Sequence, residues 1–487
     1  MPPRTRQGLA VLSAALALGV VADVLGRLVP ARLDVALGLA ALVLALLALA
    51  QCGLATLPIS LAPLGAPLAL LGGALLWRDS PTLFGLNLLG VVTVAALASP
   101  RLRAVGRRRA GLGDYAAGAG ELGAAGAAGA AALVFRDIDW ASLPIQGRVR
   151  RARGAVVGLA AAVPVAAVFG GLLMRADPVF DRLVSRSLQL DVAPLASHLA
   201  QVGLWAWLAA GVIRLVCRDD AGLALPGRRG GTLGLGEVGT VLAVVDLLFA
   251  AFVVVQFRYL FGGADLVRGL TGMSYAEYAR RGFFELVAVA ALSLPLLLLA
   301  DWSLDQREPA RARRFRWLAG LMLLLLDVML ASALFRMRLY TAEYGLTELR
   351  FYTTAFMGWL VLVLGWFGAT VLRGRRERFG TGALLAGWLV LAGLNLGNPD
   401  AIIASVNLGR AADGRPLDPA YAARLSADAL PVFHRLLPAL GSPDACATAR
   451  ALDARWGAEL ASRRRWTISL ARAPRAPIGC GMSRGGS

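Results

Sequence analysis

Two sets of residues in this chain have types and positions that suggest chemistry. The first is carboxylates inside apolar runs. Asp246 and Asp327 each sit in the middle of a long stretch of uncharged residues. A charge at the centre of a bilayer is costly, so an intramembrane carboxylate is a functional candidate by default. Two readings stand for the pair. They form a proton or cation relay, or each makes a structural hydrogen bond or stays protonated. The second set is polar clusters at the ends of apolar runs. Arg258 and Tyr259 form one; Tyr275, Tyr278, Arg280 and Glu285 a second; Tyr340, Tyr344, Thr347 and Arg350 a third; Asn398, Asp400 and Asn407 a fourth. Arg and Tyr together can hold an anionic head group by charge and hydrogen bonding. The plainer reading is a Tyr belt at a membrane surface, with Arg–Glu pairs clipping loops together.

The usual catalytic signatures are missing. A phosphate-binding GxxxxGK loop is excluded, because the chain contains no Lys: all 50 of its basic residues are Arg. No HExxH or CxxC occurs. The two His residues, His198 and His434, are far apart in sequence, so a His-rich metal site is not expected, and neither is a cofactor.

The elements that must position these residues are membrane spans. The chain has 487 residues, of which 57% are hydrophobic, and its mean hydropathy is +0.64. Soluble domains hold roughly 45–50% of such residues even when Gly is counted. The excess is gathered into runs of about 20 residues, which at 1.5 Å rise cross a hydrocarbon core of roughly 30 Å. Spans are expected at 8–29, 33–53, 55–77, 82–98, 154–174, 198–216, 236–260, 282–301, 317–335, 351–372 and 381–397. The class is therefore all-α, a polytopic transmembrane bundle of about 11 spans. Pro58, Pro63 and Pro67 predict a kink or an unwound stretch in the third. Arg4 and Arg6 ahead of the first run fit a first span rather than a removed leader.

Arginine sets the orientation. Dense clusters at Arg101–Arg109, Arg148–Arg153, Arg307–Arg316 and Arg373–Arg378 alternate with loops that mix Arg with acids. With the N-terminus inside, these clusters face the cytoplasm, and the tail lies outside. The net charge of +19 then reports topology rather than nucleic-acid binding. The partners expected are the bilayer of a bacterial cytoplasmic membrane, anionic lipid at the inner Arg loops, and an envelope protein.

Four regions follow: 1–98 with four spans, 99–153 as a cytoplasmic linker rich in Arg, Ala and Gly, 154–397 as a seven-helix core, and 398–487 as a helical outer tail. Residues 117–135 are nearly all Ala and Gly. They are read as a linker or interfacial segment; the alternative is a twelfth span packed closely on a neighbour. In the tail, Asn398-Pro399-Asp400, Asp418-Pro419 and Ser442-Pro443-Asp444 each look like a helix start, so three short helices are expected. Cys446 and Cys480 both fall there, where a disulfide is permitted.

Asp177-Pro178-Val179-Phe180, Tyr275-Ala276-Glu277-Tyr278-Ala279-Arg280, Tyr344-Gly345-Leu346-Thr347-Glu348-Leu349-Arg350 and Asn398-Pro399-Asp400 resemble bacterial membrane proteins of the domain-of-unknown-function 4173 family, close to the 4153 group. The resemblance runs from about 150 to about 430. It implies a multi-pass bacterial membrane protein and brings no activity or catalytic residue. Three functions stay open: a transporter or transport-associated protein with an outward polar site, a structural, sensory or regulatory envelope protein, and an enzyme acting on a lipid-linked substrate.

Overall fold

The computed structural model describes residues 1–55, 57–107, 110–142, 192–218, 235–261, 283–303, 309–440, 442–461 and 466–478. Among them every regular element is helical. In hydrocarbon each backbone polar group must be satisfied within its own segment, which a helix does. The membrane helices are α1 (Pro3–Leu28), α2 (Leu33–Gln51), α3 (Ala62–Trp77), α4 (Pro81–Leu97), the short α5 (Pro100–Val105), α6 (Leu112–Ala132), α7 (Val192–Cys217), α8 (Leu235–Phe261), α9 (Phe283–Ser303), α10 (Pro309–Tyr344), α11 (Glu348–Thr370) and α12 (Phe379–Gly397). The expected span 154–174 and the Arg148–Arg153 cluster lie outside the described residues.

The first of these helices form one group, with α7 packed between α1 and α6 and α3 against α4; α8 to α11 form another around α10, and α12 joins α11 to α4. The larger core is built from residues such as Leu242, Leu297, Met322, Leu326, Met357 and Phe367. Leu44, Leu70, Leu89, Leu247, Leu292 and Leu324 point outward and are exposed, as expected of a lipid-facing surface. The chain is an integral membrane protein. The third span opens differently from a simple kink. A 3-10 turn at Ile59–Leu61 precedes α3, Pro63 sits in its first turn and Pro67 inside it.

Hydrogen bonds sort helix termini to two ends of the bundle. At one end, Arg4 and Arg214 both bond Asp137, at 3.5 and 2.6 Å. Arg103 donates to the carbonyls of Val216 and Arg218. Arg107 donates to those of Leu97 and Ser60, and Arg376 pairs with Asp301 at 3.0 Å. The start of α1, α3 and α12 and the finish of α4, α7, α9 and α11 are thus together. At the other end, Arg27 at the close of α1 meets Ser197 and Gln201 near the start of α7. Arg78 after α3 bonds the last carbonyls of α12. The N-terminus and the tail therefore lie at opposite ends, which requires an odd number of crossings.

By length and composition ten described helices could cross a membrane, a set that includes residues 113–137 and omits α4, at 17 residues. The bonding at their ends assigns these two the other way. Helix α4 runs from the tail end to the N-terminal end. Helix α6 begins and finishes at the N-terminal end. Tyr115 bonds Thr381 at the start of α12 and Asp114 bonds Arg101, while Asp137, closing the π turn that extends α6, binds Arg4, Arg214 and Arg218. It lies across α7, and a Cβ at Gly211 would come within 2.1 Å of the Ala125 carbonyl. The Ala/Gly stretch is thus an ordered helix rather than a loose linker, and the small residues allow the close crossing.

Among its described residues the tail has five helices rather than three: α13 (Pro399–Ala412), α14 (Pro419–Arg424), α15 (Leu430–Leu436), α16 (Pro443–Ala461) and α17 (Ile468–Arg472). All three expected helix starts are present, with Asn398, Asp418 and Ser442 accepting from backbone amides of the first turn. The two unexpected helices are short, and α17 is capped by Thr467. A core of Ile403, Leu408, Leu430, Phe433, Leu437 and Trp456 holds them together. Cys446 is in a disulfide; Cys480 lies outside the described residues.

Candidate functional site

The site is built where the tail meets the tail-side ends of α3, α4, α10, α11 and α12. Its first part is the turn between α10 and α11. Gly345 there has φ +81, a conformation that favours glycine. Asn407 of α13 brackets the next residue: its Oδ1 accepts from Leu346 N and its Nδ2 donates to Leu346 O, both at 2.8 Å. Arg410, one turn on, donates to the carbonyls of Ala342 and Glu343 and so caps α10. Thr347 caps α11 by accepting from Arg350 N. The Arg350 guanidinium donates back to the Gly345 carbonyl and lies 4.0 Å from the centre of the Tyr340 ring, which in turn meets Tyr344 edge-on at 5.1 Å. A Cβ on Gly345 would fall 2.7 Å from Asn407 Oδ1 and 2.6 Å from the Arg410 guanidinium.

The second part is a buried acidic cluster. Asp428 Oδ2 accepts from the backbone amides of Asp79 and Ser80, at 2.8 and 3.0 Å, and from Ser426 Oγ at 3.1 Å. Asp79 returns the contact, accepting from Ala427 N at 3.2 Å. Each carboxylate thus faces a helix N-terminus of the other segment, the arrangement that amide donors and the helix dipole favour. Arg78 Nη1 is 4.0 Å from Asp428 Oδ1. Asn398, left-handed at φ 55, caps α13 and donates to the Asp428 carbonyl.

Asp400 is fully buried. Its Oδ2 accepts from the amide and hydroxyl of Ser426. Burial pushes the Asp400 carboxyl up, Asp428 adds to the rise, and the Ser426 bonds oppose it. Tyr352 lies beside Ser80, hydroxyl to hydroxyl at 3.4 Å. Tyr421 accepts from Glu348 N at 2.8 Å, and burial pushes its phenol up to about 12. Beneath the cluster, Asn87 of α4 and Asn395 of α12 pair at 3.0 and 2.9 Å, fully inside the bundle.

Of the residues singled out from sequence, Tyr340, Tyr344, Thr347, Arg350, Asn398, Asp400 and Asn407 converge on this junction. Arg258, Tyr259 and Glu285 lie on helices whose side chains there are outside the described residues, as are Tyr275, Tyr278 and Arg280 altogether. Asp246 is buried, with neither carboxyl oxygen hydrogen-bonded among the described residues, whereas Asp327 is exposed on α10. Asp79, Ser80, Asp428, Ser426, Tyr352 and Asn87 were not anticipated. A signal existed for some: Arg78-Asp79-Ser80-Pro81 is another helix start with Pro in the first turn, and Asn87 is a polar residue inside an apolar run. Nothing in sequence links Asp79 to Asp428. Among the described residues no cluster of His, Cys, Asp or Glu has metal-binding geometry.

Fold and junction together define a polytopic helical membrane protein whose C-terminal helical unit is locked to one end of the bundle. Within that class, the chain belongs to the family described as domain of unknown function (DUF4153), whose model matches residues 65–436. This replaces the 4173 group with its neighbour and extends the match toward the N-terminus, so that α4 and the Asp79–Asp428 contact fall inside it. No curated protein and no solved structure matches the chain.

Proposed function

We propose that this chain is a structural or regulatory envelope membrane protein of the bacterial cytoplasmic membrane. Its N-terminal end faces the cytoplasm, and its tail forms a fixed platform on the outer face for a partner. The observation that carries this reading is the use of the outer polar residues. Asn407, Arg410, Asp428 and Asp79 spend their hydrogen bonds on holding the tail to the bundle. A substrate site would keep such groups turned toward a cavity. The Arg clusters at the N-terminal end support the orientation. The test is complementation of a strain lacking the protein by a chain ending at residue 412. Normal membrane insertion with lost function supports the platform; full function without the tail helices defeats it.

Transport is the second reading, and Asp246 favours it. A buried carboxyl without a partner at mid-helix is what a proton-coupled site requires. Replacing Asp246 and Asp327 by Asn with no loss of cellular function would remove that support.

A further inference from the structure

A cavity of about 920 Å³ opens between α11 and α12, far from the tail junction. Leu362, Trp366, Thr381, Leu385 and Leu389 line it, with Arg378 at its mouth. From Arg378 to Leu389 the groove follows α12 for about 16 Å at 1.5 Å per residue. That is the depth of one leaflet of a hydrocarbon core of roughly 30 Å. The mouth lies at the N-terminal end of the bundle. There Trp366 Nε1 donates to the Arg378 carbonyl at 3.2 Å and holds the indole at the rim. Gly382 makes room for that indole, since a Cβ would lie 1.9 Å from Nε1.

Charge surrounds this opening. Arg376 is taken up by Asp301. Arg373, Arg375 and Arg378 are exposed, and their side chains make no hydrogen bond or ion pair among the described residues. Glu377 is the acid among the described lining residues. Arg378 at the mouth of an apolar, one-leaflet-deep groove, with Arg373 and Arg375 in the same α11–α12 turn, matches a molecule with a phosphate head and a long hydrocarbon chain.

We infer that the α11–α12 groove is a binding site for an anionic phospholipid of the cytoplasmic leaflet. One acyl chain lies along Leu362, Leu385 and Leu389, and the phosphate sits among Arg373, Arg375 and Arg378. The choice of leaflet rests on the orientation proposed above, whereas the site itself lies at the opposite end of the bundle from the tail and is independent of the tail's role.

The experiment uses the full-length protein reconstituted in phosphatidylcholine vesicles with trace nitroxide-labelled phosphatidylglycerol or phosphatidylcholine. Electron spin resonance then gives the fraction of each label immobilised on the protein. Phosphatidylglycerol should be preferred by about five-fold or more, the factor that one interfacial Arg supplies. The R373Q/R375Q/R378Q variant, changed only at exposed positions, should lower that preference toward unity without lowering the phosphatidylcholine count. Ala386→Trp, which fills the groove, should abolish the selective component while the three Arg remain. Unchanged selectivity in either variant overturns the site. Displacement of the label by excess inorganic phosphate, but not by chloride of equal ionic strength, would mark a free-anion site and also overturn it.

Discussion

Asp79 and Asp428, 349 positions apart, each accept from the backbone of the other's segment. This reciprocal capping joins the α3–α4 loop to the tail. Removing the Asp428 carboxylate leaves two buried amides unsatisfied, at a cost of about 1–3 kcal/mol each. Asp428→Ala should therefore loosen the tail, seen as faster tryptic cleavage after Arg residues of 410–472 with the membrane helices intact. In a double-mutant cycle with Asp79→Ala the two losses should be less than additive. Additive losses would mean that the contacts act separately.

Gly345 couples conformation to contact. Gly345→Ala places a Cβ at φ +81 and against Asn407 and Arg410. The backbone strain alone is worth about 1–3 kcal/mol. Thermal unfolding should fall for Gly345→Ala, and Asn407→Ala should relieve the steric part only. Full rescue by Asn407→Ala would show that the left-handed backbone costs nothing.

The pH dependence follows from Asp400. Its folded carboxyl is raised above the ordinary value of 3.8 by burial, so the folded state holds its proton more tightly than the unfolded chain does. The stability this contributes is complete below 3.8 and is lost as pH rises through the raised folded value. Wild-type unfolding temperature should thus decline as pH climbs above the ordinary carboxylate range, and Asp400→Asn should flatten that decline. A variant with the wild-type slope would place the titration elsewhere.

The two ends of the bundle can be mapped chemically. In a background without the native Cys residues, single cysteines at Arg4, Asp114 and Arg136 should all react with a membrane-impermeant maleimide from one side. A cysteine at Arg410 should react from the other. Labelling of the Asp114 and Arg136 positions from opposite sides would make α6 a crossing helix.

Asp246 is buried without a hydrogen bond among the described residues. Asp246→Leu should raise the unfolding temperature, since an unpaired buried carboxyl costs stability. A fall would mean that the carboxyl makes a stabilising interaction in the folded protein.

Local signals carried much of this protein in its sequence. Apolar runs of span length specified membrane helices, because a bilayer leaves the backbone no other partners. Asn398-Pro399, Asp418-Pro419 and Ser442-Pro443 marked helix starts, because capping is settled within a few residues. Tyr340, Thr347, Arg350, Asn398, Asp400 and Asn407 stood out by type and position. Tertiary structure decided what these residues touch: Asn407 fastens the tail to the α10–α11 turn, Thr347 and Arg350 shape that turn, and Asn398 and Asp400 bond Asp428 and Ser426 within the tail. That outcome rests on Asp79 meeting Asp428 and Asn407 meeting Leu346, pairings between distant segments that leave no periodic trace. The lie of α6 was decided in the same way. Its length and composition suit a crossing, but Asp114, Tyr115 and Asp137 find their partners at one end of the bundle. An ion pair or hydrogen bond there is worth keeping only where the fold brings both groups together.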